Sequence, residues 1–204
     1  MKNIRRFTLV ELLAVMALIA ILSALGFGVY SYAKGKARES ATEALLKQIE
    51  AGLESFHTKN GYYPRSAGGT FGAIKITLAT DGTVESVDFG TETLTRETGT
   101  SLTKAQRMKN AKLESFTKAV DMQVLKNNLK ETATANVYEL TDAWGGTIYY
   151  RSPGEFKRGS FDLISAGADG KFGSGGNAEK PTGTDVTIFR ENAGDRVCDD
   201  VFNF

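Results

Sequence analysis

The sequence predicts an α+β protein in which one long N-terminal helix packs on a small antiparallel sheet. Two observations support this prediction. An apolar run from Phe7 to Ala33 leads without a break into an amphipathic stretch that ends near residue 60. Further along the chain, two segments of alternating polar and apolar residues flank the dipeptide Asp81-Gly82, which is the pattern of a β-hairpin.

The apolar run is long enough to cross a bilayer as a helix. From Leu12 to Ala33 there is no Asp, Glu, Lys or Arg, and at about 1.5 Å per residue this stretch covers the roughly 30 Å of a hydrocarbon core. We therefore expect residues 7–33 to form a transmembrane half-helix. A removed signal peptide is the alternative, but the run exceeds the usual apolar core of about 7 to 15 residues, and no small-residue cleavage site clearly follows it.

Residues 1–6, MKNIRR, are short and basic. Cations favour the cytoplasmic side of a membrane segment, so we expect the N-terminus to stay inside and the rest of the chain to be exported. Glu11 lies near the start of the apolar run. A carboxylate costs about 2.5 kcal/mol or more if it reaches the centre of a membrane helix, so Glu11 is expected to need a partner.

The helix is expected to continue as an amphipathic half-helix over residues 34–60. Small and apolar residues recur there at three-to-four spacing, at Ala37, Ala41, Ala44, Leu45, Ile49, Leu53 and Phe56. We expect this stripe to lie against a globular head formed by residues 61–204. The segment Asn60-Gly61-Tyr62-Tyr63-Pro64 predicts the end of the helix, because glycine suits a left-handed cap and proline stops continuation.

The middle of the chain predicts a hairpin followed by helix. Residues 73–78 and 83–89 alternate about the Asp81-Gly82 turn, which predicts two antiparallel strands. From Ser101 to Leu129, apolar residues recur at helical spacing and predict one or two helical pieces.

Composition limits the classes of function. The chain has 204 residues, a net charge of +1, one His and one Cys. A near-neutral chain gives no electrostatic support for nucleic-acid binding, so no nucleic-acid partner is expected. The sequence contains no Ser-x-Gly elbow, P-loop or dinucleotide-binding glycine pattern, so we do not expect an enzyme. Cys198 alone cannot form an intrachain disulfide.

The basic leader, the string Phe7-Thr8-Leu9-Val10-Glu11 and the long apolar helix resemble, in this order, the type IV pilin and pseudopilin family. In that family a prepilin peptidase cuts before the Phe and methylates the new N-terminus. The resemblance implies a cut between Arg6 and Phe7, although the family usually has Gly where Arg6 stands. It also implies that Glu11 pairs with the N-terminal ammonium of Phe7 in a neighbouring subunit during assembly. Opposite charges are costly apart and tolerable together in low dielectric.

Two strings in the C-terminal third look like those of the major pseudopilin of type II secretion. They are DAWGGTIYY at residues 142–150 and FDLISAGADG at residues 161–170. The resemblance implies that they form strands of a small antiparallel sheet on the long helix, with Trp144 and the tyrosines covering its stripe. It implies a pilin-like head in which residues 65–137, with the hairpin and helix, are an insertion.

The glycine-rich loop from Asp169 to Ala178 follows the second string. Pseudopilins of this type hold calcium in the corresponding loop, and calcium takes about six to eight oxygen ligands. The resemblance therefore implies calcium as a cofactor, with Asp169, Asn177 and Asp185 as ligands. The spacing is not that of an EF-hand, and a solvated glycine turn remains the alternative.

The resemblance implies a structural subunit of a pseudopilus, which assembles by helix packing and drives type II secretion-like protein export. The partners expected are further copies of this chain, minor pseudopilins, the prepilin peptidase and an inner-membrane assembly platform. The expected location is the inner membrane, single-pass, with the C-terminal head in the periplasm, and then a periplasmic or surface filament. The alternatives are a type IV pilus subunit for adhesion, motility or DNA uptake, and a membrane-anchored ligand-binding domain that does not polymerise.

Overall fold

A computed structural model describes residues 9–172 and 201–203 of the chain. The packing divides the chain into two compact units, Met1–Arg38 and Glu39–Phe204. In the described part of the first unit the chain is helical from Leu9 onward. The second unit contains the head, and the fold described below is that of this unit and of the helix that enters it.

Helices and strands follow one another in an α+β order, which confirms the predicted class. The helices are α1 (Leu9–Asn60), α2 (Lys104–Thr117) and α3 (Met122–Asn127). The strands are β1 (Gly72–Ala73), β2 (Lys75–Leu78), β3 (Val84–Asp88), β4 (Thr93–Thr95), β5 (Leu129–Glu131), β6 (Val137–Leu140), β7 (Tyr149–Arg151), β8 (Asp162–Ser165) and β9 (Val201–Phe202).

The strands form two sheets with antiparallel pairing throughout. One sheet has the order β1-β7-β8-β9 and the other the order β4-β3-β2-β6-β5. The two strings of the C-terminal third supply β7 and β8, which pair with each other as expected. Strands β2 to β5 come from the segment 65–137. Of these, β2 and β5 pair with β6, while β3 pairs with β2 and β4 pairs with β3. This segment is therefore built into the sheet of the head.

Helix α1 ends where the sequence predicts. Its last residue is Asn60, and Gly61 adopts a left-handed backbone with φ of +80°. The N–H of Gly61 donates to the carbonyl of His57 at 2.7 Å, which satisfies one of the carbonyls left open at a helix end. Glycine suits this conformation because a side chain there would strain the backbone.

The predicted hairpin is confirmed. Strands β2 and β3 pair in antiparallel register, with Ile76 opposite Val87. In the connecting turn Gly82 has a φ of +77°, and Asp81 accepts hydrogen bonds from both the N–H and the hydroxyl of Thr83. The Asp-Gly pair therefore has the turn role that its composition predicts.

The predicted helical pieces are two, and side chains cap both at their N-termini. Thr103 and Gln106 form a reciprocal capping box at the start of α2. Asp121 accepts the N–H of Gln123 at the start of α3. Such caps contribute about 1 kcal/mol each by satisfying N–H groups that have no partner in the helix.

The buried stripe of α1 begins later than predicted. Its buried members are those of the C-terminal part, Leu45, Ile49, Leu53 and Phe56. The prediction was wrong for three alanines, which are exposed: Ala37, Ala41 and Ala44. Helical spacing shows which side of a helix is apolar, but it does not show where the head begins to cover it. Thr42, next to these alanines, does contact the head: its buried hydroxyl accepts the N–H of Ala143 at 3.2 Å.

Aromatic side chains cover the helix stripe, as expected for Trp144 and Tyr150, whereas the expectation was wrong for Tyr149. Tyr150 is fully buried in the same core as the α1 stripe, and Trp144 is partly buried against that core. The neighbouring Tyr149 packs into a separate small cluster that includes Phe71 and Phe172. Successive residues of a strand point to opposite faces, which explains why the two adjacent tyrosines serve different clusters.

Candidate functional site

The first half of α1 presents an exposed apolar surface. Thirteen of its large apolar side chains are each more than half exposed: Leu9, Val10, Leu12, Leu13, Val15, Met16, Leu18, Ile19, Ile21, Leu22, Val29, Tyr30 and Tyr32. Burying apolar surface is worth about 25 cal/mol per Å², and contiguous exposed patches of this kind mark interaction surfaces. We call these thirteen side chains the apolar half-helix surface.

The prediction that residues 7–33 span a membrane is not confirmed. Within residues 9–172 and 201–203, no helix is long and apolar enough to cross one.

Of the residues predicted to act in processing and assembly, the structure describes only Glu11. This carboxylate is exposed in the first turn of α1. Arg6 and Phe7 lie outside the described residues. A negative charge near a helix N-terminus is stabilised by about 0.3 to 1 kcal/mol through the helix dipole. The position of Glu11 therefore stabilises its carboxylate in addition to any ion pair that it makes.

The predicted calcium loop is described only at its start. Asp169 is exposed, and its Oδ1 accepts the N–H of Lys171 at 2.8 Å, next to Gly170 with a φ of +71°. The other predicted ligands, Asn177 and Asp185, lie outside the described residues. No cluster of three metal-ligating side chains (His, Cys, Asp or Glu) occurs in the described part of the chain. The exposed carboxylate of Asp169 is an oxygen ligand of the type that calcium prefers. It would supply one of the several ligands that the ion requires.

Asp142 and Ser165 connect the two strings of the C-terminal third. Asp142 Oδ1 accepts the N–H groups of Trp144 and Gly146, both at 2.8 Å. Its Oδ2 accepts the hydroxyl of Ser165 at 2.5 Å, and the Ser165 oxygen in turn accepts the N–H of Gly167. Both side chains are buried. The arrangement fastens the turn before β7 to the end of β8.

A second buried centre joins Arg151 in β7 to Asp162 in β8. The two residues lie directly opposite in the antiparallel register, and Arg151 donates to Asp162 Oδ2 through Nη2 at 2.6 Å and Nε at 3.1 Å. The guanidinium lies over the rings of Phe71 and Phe156, at 4.3 and 5.0 Å from their centroids. Such stacking and two-pronged pairing suit arginine and not lysine.

Asp162 also fixes the loop between β7 and β8. Its carboxylate accepts the backbone N–H groups of Glu155, Phe156 and Lys157 at 2.8, 3.3 and 3.1 Å. Sequence reasoning did not identify this centre. The available signal was the position of a charged residue within each of two largely apolar strands, because paired strands can place two such residues opposite each other.

Two further contacts hold loop segments of the head in place. One joins β7 to the segment that follows α1, and the other joins the β7–β8 loop to α1 itself. The Tyr150 hydroxyl donates to the carbonyl of Pro64 at 2.6 Å, and burial raises the pKa of Tyr150. Lys157 donates to Glu50 of α1 at 2.9 Å, and this hydrogen bond raises the pKa of Lys157. These contacts hold segments of the head together.

Two family models match the sequence. The prokaryotic N-terminal methylation motif matches residues 1–27, which include Arg6, Phe7 and Glu11. The type II secretion system protein G matches residues 108–182, which include Asp142 and Asp169. No curated protein and no solved structure matches the chain. The two matched segments together cover about half of the sequence, and the chain belongs to the pilin and pseudopilin family.

Proposed function

We propose that this chain is the structural subunit of a pseudopilus of a type II secretion-like system. The observation that supports this most strongly is the apolar half-helix surface, of which ten of the thirteen side chains lie within residues 1–27, where the N-terminal methylation motif matches. Packing such surfaces against one another in a filament removes them from water, and the hydrophobic effect then drives assembly. The match to protein G over residues 108–182 supports the secretion branch of the family.

Assembly begins, in this proposal, with removal of residues 1–6 by a prepilin peptidase and methylation of the Phe7 amino group. Glu11 of one subunit then pairs with the Phe7 ammonium of its neighbour. In an apolar filament core an unpaired carboxylate is strongly disfavoured, and a paired one is tolerated. The pair would therefore select the stagger at which each new helix docks.

Before assembly, we propose, the chain is an inner-membrane protein with one membrane-embedded N-terminal segment and a periplasmic head. The basic leader supports this orientation, because cations near a membrane segment favour the cytoplasmic side. The assembly partners in this proposal are further copies of the chain, minor pseudopilins and an inner-membrane assembly platform. Adding subunits would lengthen the filament and drive protein export.

Filament formation tests the proposal directly. Cells that express the chain with its peptidase and assembly platform are examined by immunogold electron microscopy. We expect filaments from the wild type, and their loss in Glu11→Gln. The matched control is Glu43→Gln, which makes the same change at an exposed position of the same helix, and which should leave assembly unchanged. Filaments of wild-type number from Glu11→Gln would contradict the proposed pairing, and absence of filaments from the wild type would favour a non-polymerising anchored domain.

A type IV pilus subunit remains the second candidate. The methylation motif over residues 1–27 is compatible with both branches, since pilins and pseudopilins share it. The two differ in the product, because a pilus subunit predicts long surface fibres and a pseudopilus subunit predicts short periplasmic rods. The same micrographs distinguish them.

We propose, finally, that calcium binds the loop that starts at Asp169. The exposed carboxylate of Asp169 supports this proposal because calcium prefers oxygen ligands. The resemblance to the major pseudopilin implies Asn177 and Asp185 as further ligands. Thermal unfolding of the full chain with calcium, with magnesium and with a chelator tests the proposal. We expect calcium alone to raise the midpoint, and Asp169→Asn to remove the effect. An identical midpoint in calcium and chelator would contradict it.

A further inference from the structure

The apolar half-helix surface faces every side of the helix. Its ten members from Leu9 to Leu22 occur as neighbouring pairs at every third residue. Each residue advances a helix by about 100°, so each pair is turned by about 60° from the pair before it. A partner helix or a groove requires one apolar stripe, whereas a helix that is apolar all round is typical of a large core or of lipid.

Two tyrosines lie at the end of this surface. Tyr30 and Tyr32 are 66% and 71% exposed. They are two positions apart, so they point about 200° away from each other and lie on nearly opposite sides of the helix. Tyrosine is enriched where a membrane-embedded helix meets the lipid headgroups, because its ring is apolar and its hydroxyl is polar.

Three cations follow the tyrosines directly, at the end of the first unit. They are Lys34, Lys36 and Arg38, and we call them the basic collar. The two lysines are exposed and the arginine is half-buried. Lys34 and Arg38 are four residues apart on one side of the helix, and Lys36 lies on the other side. Long cationic side chains at the end of an apolar segment keep their stems against apolar surface while the charges reach the headgroups.

Carboxylates lie only beyond the basic collar. The sequence contains none from residue 12 to residue 38, and the next ones along the chain are Glu39 and Glu43. These two therefore follow the cations on the side away from the apolar surface. The cations nearest to the apolar surface are thus the charges that a group at its edge would meet first.

We propose that the basic collar binds the headgroups of anionic phospholipids, with Lys34, Lys36 and Arg38 donating to the lipid phosphates. Along the helix, apolar side chains are followed by tyrosines and then by cations, which is the order that a bilayer presents from its acyl chains to its headgroups. Both tyrosines and cations occur on two sides of the helix, which favours surrounding lipid over a protein partner on one side. The inference rests on the membrane-embedded state of the proposed function, holds for either orientation and does not require a filament.

Native mass spectrometry of the full chain, released from micelles of a non-ionic detergent, tests this inference by counting bound lipids. The probes are dioleoylphosphatidylglycerol, which is anionic, and dioleoylphosphatidylcholine, which has the same acyl chains and no net charge. We expect the wild type to bind the anionic lipid at least about tenfold more tightly. The preference should shrink as salt is added, because salt screens exposed charges. Equal affinity for the two lipids would overturn the inference.

Neutralising the basic collar should lower this preference about tenfold, because no charged donor remains there. The variant carries Lys34→Gln, Lys36→Gln and Arg38→Gln. The leader, residues 1–6, is the same in all variants, so its cations do not contribute to the difference. A variant that exchanges lysine and arginine at the same three positions keeps the charges and should keep the preference.

The matched control removes three exposed cations of the head instead, with Lys104→Gln, Arg107→Gln and Lys130→Gln. This control should bind both lipids as the wild type does. The inference fails if neutralising the basic collar leaves the preference unchanged, or if the head control loses as much of it.

Glu11→Gln separates this inference from the proposed filament. Glu11 lies in the first turn of α1, so this variant should lose filaments and still prefer the anionic lipid. A wild type that forms no filaments but keeps the preference would contradict the filament role and leave the lipid inference standing. Filaments from a wild type that binds both lipids equally would overturn the lipid inference alone.

Discussion

The Ser165 hydroxyl donates a hydrogen bond of 2.5 Å to Oδ2 of Asp142, across 23 positions of sequence. Asp142 also holds the turn that contains Trp144 and Gly146, so one buried carboxylate joins the turn before β7 to the end of β8. The two strings that resemble the major pseudopilin are thus joined by a direct buried contact.

Ser165→Ala should lower the free energy of unfolding by about 1.5 to 3 kcal/mol, because it leaves a buried carboxylate oxygen without its donor. Denaturant unfolding of the full chain, followed by the fluorescence of Trp144, measures the change. The control is Ser101→Ala at an exposed position, which should stay within about 0.5 kcal/mol of the wild type. Equal stability of both variants would show that the Asp142–Ser165 hydrogen bond does not contribute to the stability of the head.

Gly52→Ala should destabilise the protein, although alanine is the better helix former by about 1 kcal/mol. A Cβ on Gly52 would lie 2.5 Å from Val120 Cγ2 and 2.8 Å from Phe116 Cε2, in the buried contact of α1 with the segment around α2. Overpacking of this kind costs about 1 to 3 kcal/mol and outweighs the gain in helix propensity.

Gly35→Ala is the matched control for this prediction. Gly35 lies in the same helix, and a Cβ there meets nothing within 4 Å. This variant should gain up to about 1 kcal/mol in the same unfolding assay. The account of the α1 contact fails if both alanine variants are stabilised equally.

Stability should fall as the pH rises above about 10, in part through Tyr150. Burial raises the pKa of Tyr150 from its ordinary value of 10.0, so the folded state holds the phenol proton more tightly than the unfolded state. A group with a raised folded pKa contributes stability below its unfolded pKa, and this contribution is lost as the pH rises through the folded pKa.

Tyr150→Phe should cost about 1 kcal/mol at neutral pH, because the carbonyl of Pro64 loses its donor. The variant should also lose less stability than the wild type between pH 10 and pH 12. Unfolding curves at several pH values measure both effects, and the wild-type and variant curves should stay parallel below pH 9. Parallel curves at every pH would rule out a contribution of Tyr150 to alkaline unfolding.

Removing both partners of the Arg151–Asp162 pair should cost less than the two single removals added together. Either Arg151→Met or Asp162→Leu alone leaves a buried charge, at a cost of about 3 to 5 kcal/mol. The double variant should cost less than the sum of the two, because neither charge then remains. Glu155 pairs with Arg151 at 2.7 Å but is itself partly exposed, so Glu155→Gln should change stability by about 0 to 1 kcal/mol. Additive losses in the double variant would contradict direct pairing.

Local patterns were sufficient to predict the end of α1, the β2–β3 hairpin and the helices α2 and α3, but not the strands β4, β5, β6 and β9. The alternation around Asp81-Gly82, the helical spacing after Ser101 and the glycine at position 61 each reflect short-range geometry, and each prediction is confirmed. The burial of Ala37, Ala41 and Ala44 was predicted wrongly, because burial depends on where the head begins, and this is a property of tertiary packing.

The buried polar contacts within the head could be predicted only in part. The resemblance identified the strings that contain Asp142 and Ser165, but the hydrogen bond between them depends on how a turn meets the end of a distant strand. The pairing of Arg151 with Asp162 depends on the register of β7 and β8, which the sequence does not specify by itself. The assembly and calcium predictions for Phe7, Asn177 and Asp185 stay predictions, since these residues lie outside those that the structure describes.

The most direct test of the central claim is the intact mass of the native protein extracted from membranes, with sequencing of its N-terminus. The chain is expressed beside its own prepilin peptidase for this purpose. The account predicts a mature chain that begins at N-methylated Phe7, with residues 1–6 removed despite Arg6 before the cut. A chain that still begins at Met1 would contradict the account and favour an anchored domain that does not assemble, and cleavage after the apolar run would exclude a filament subunit.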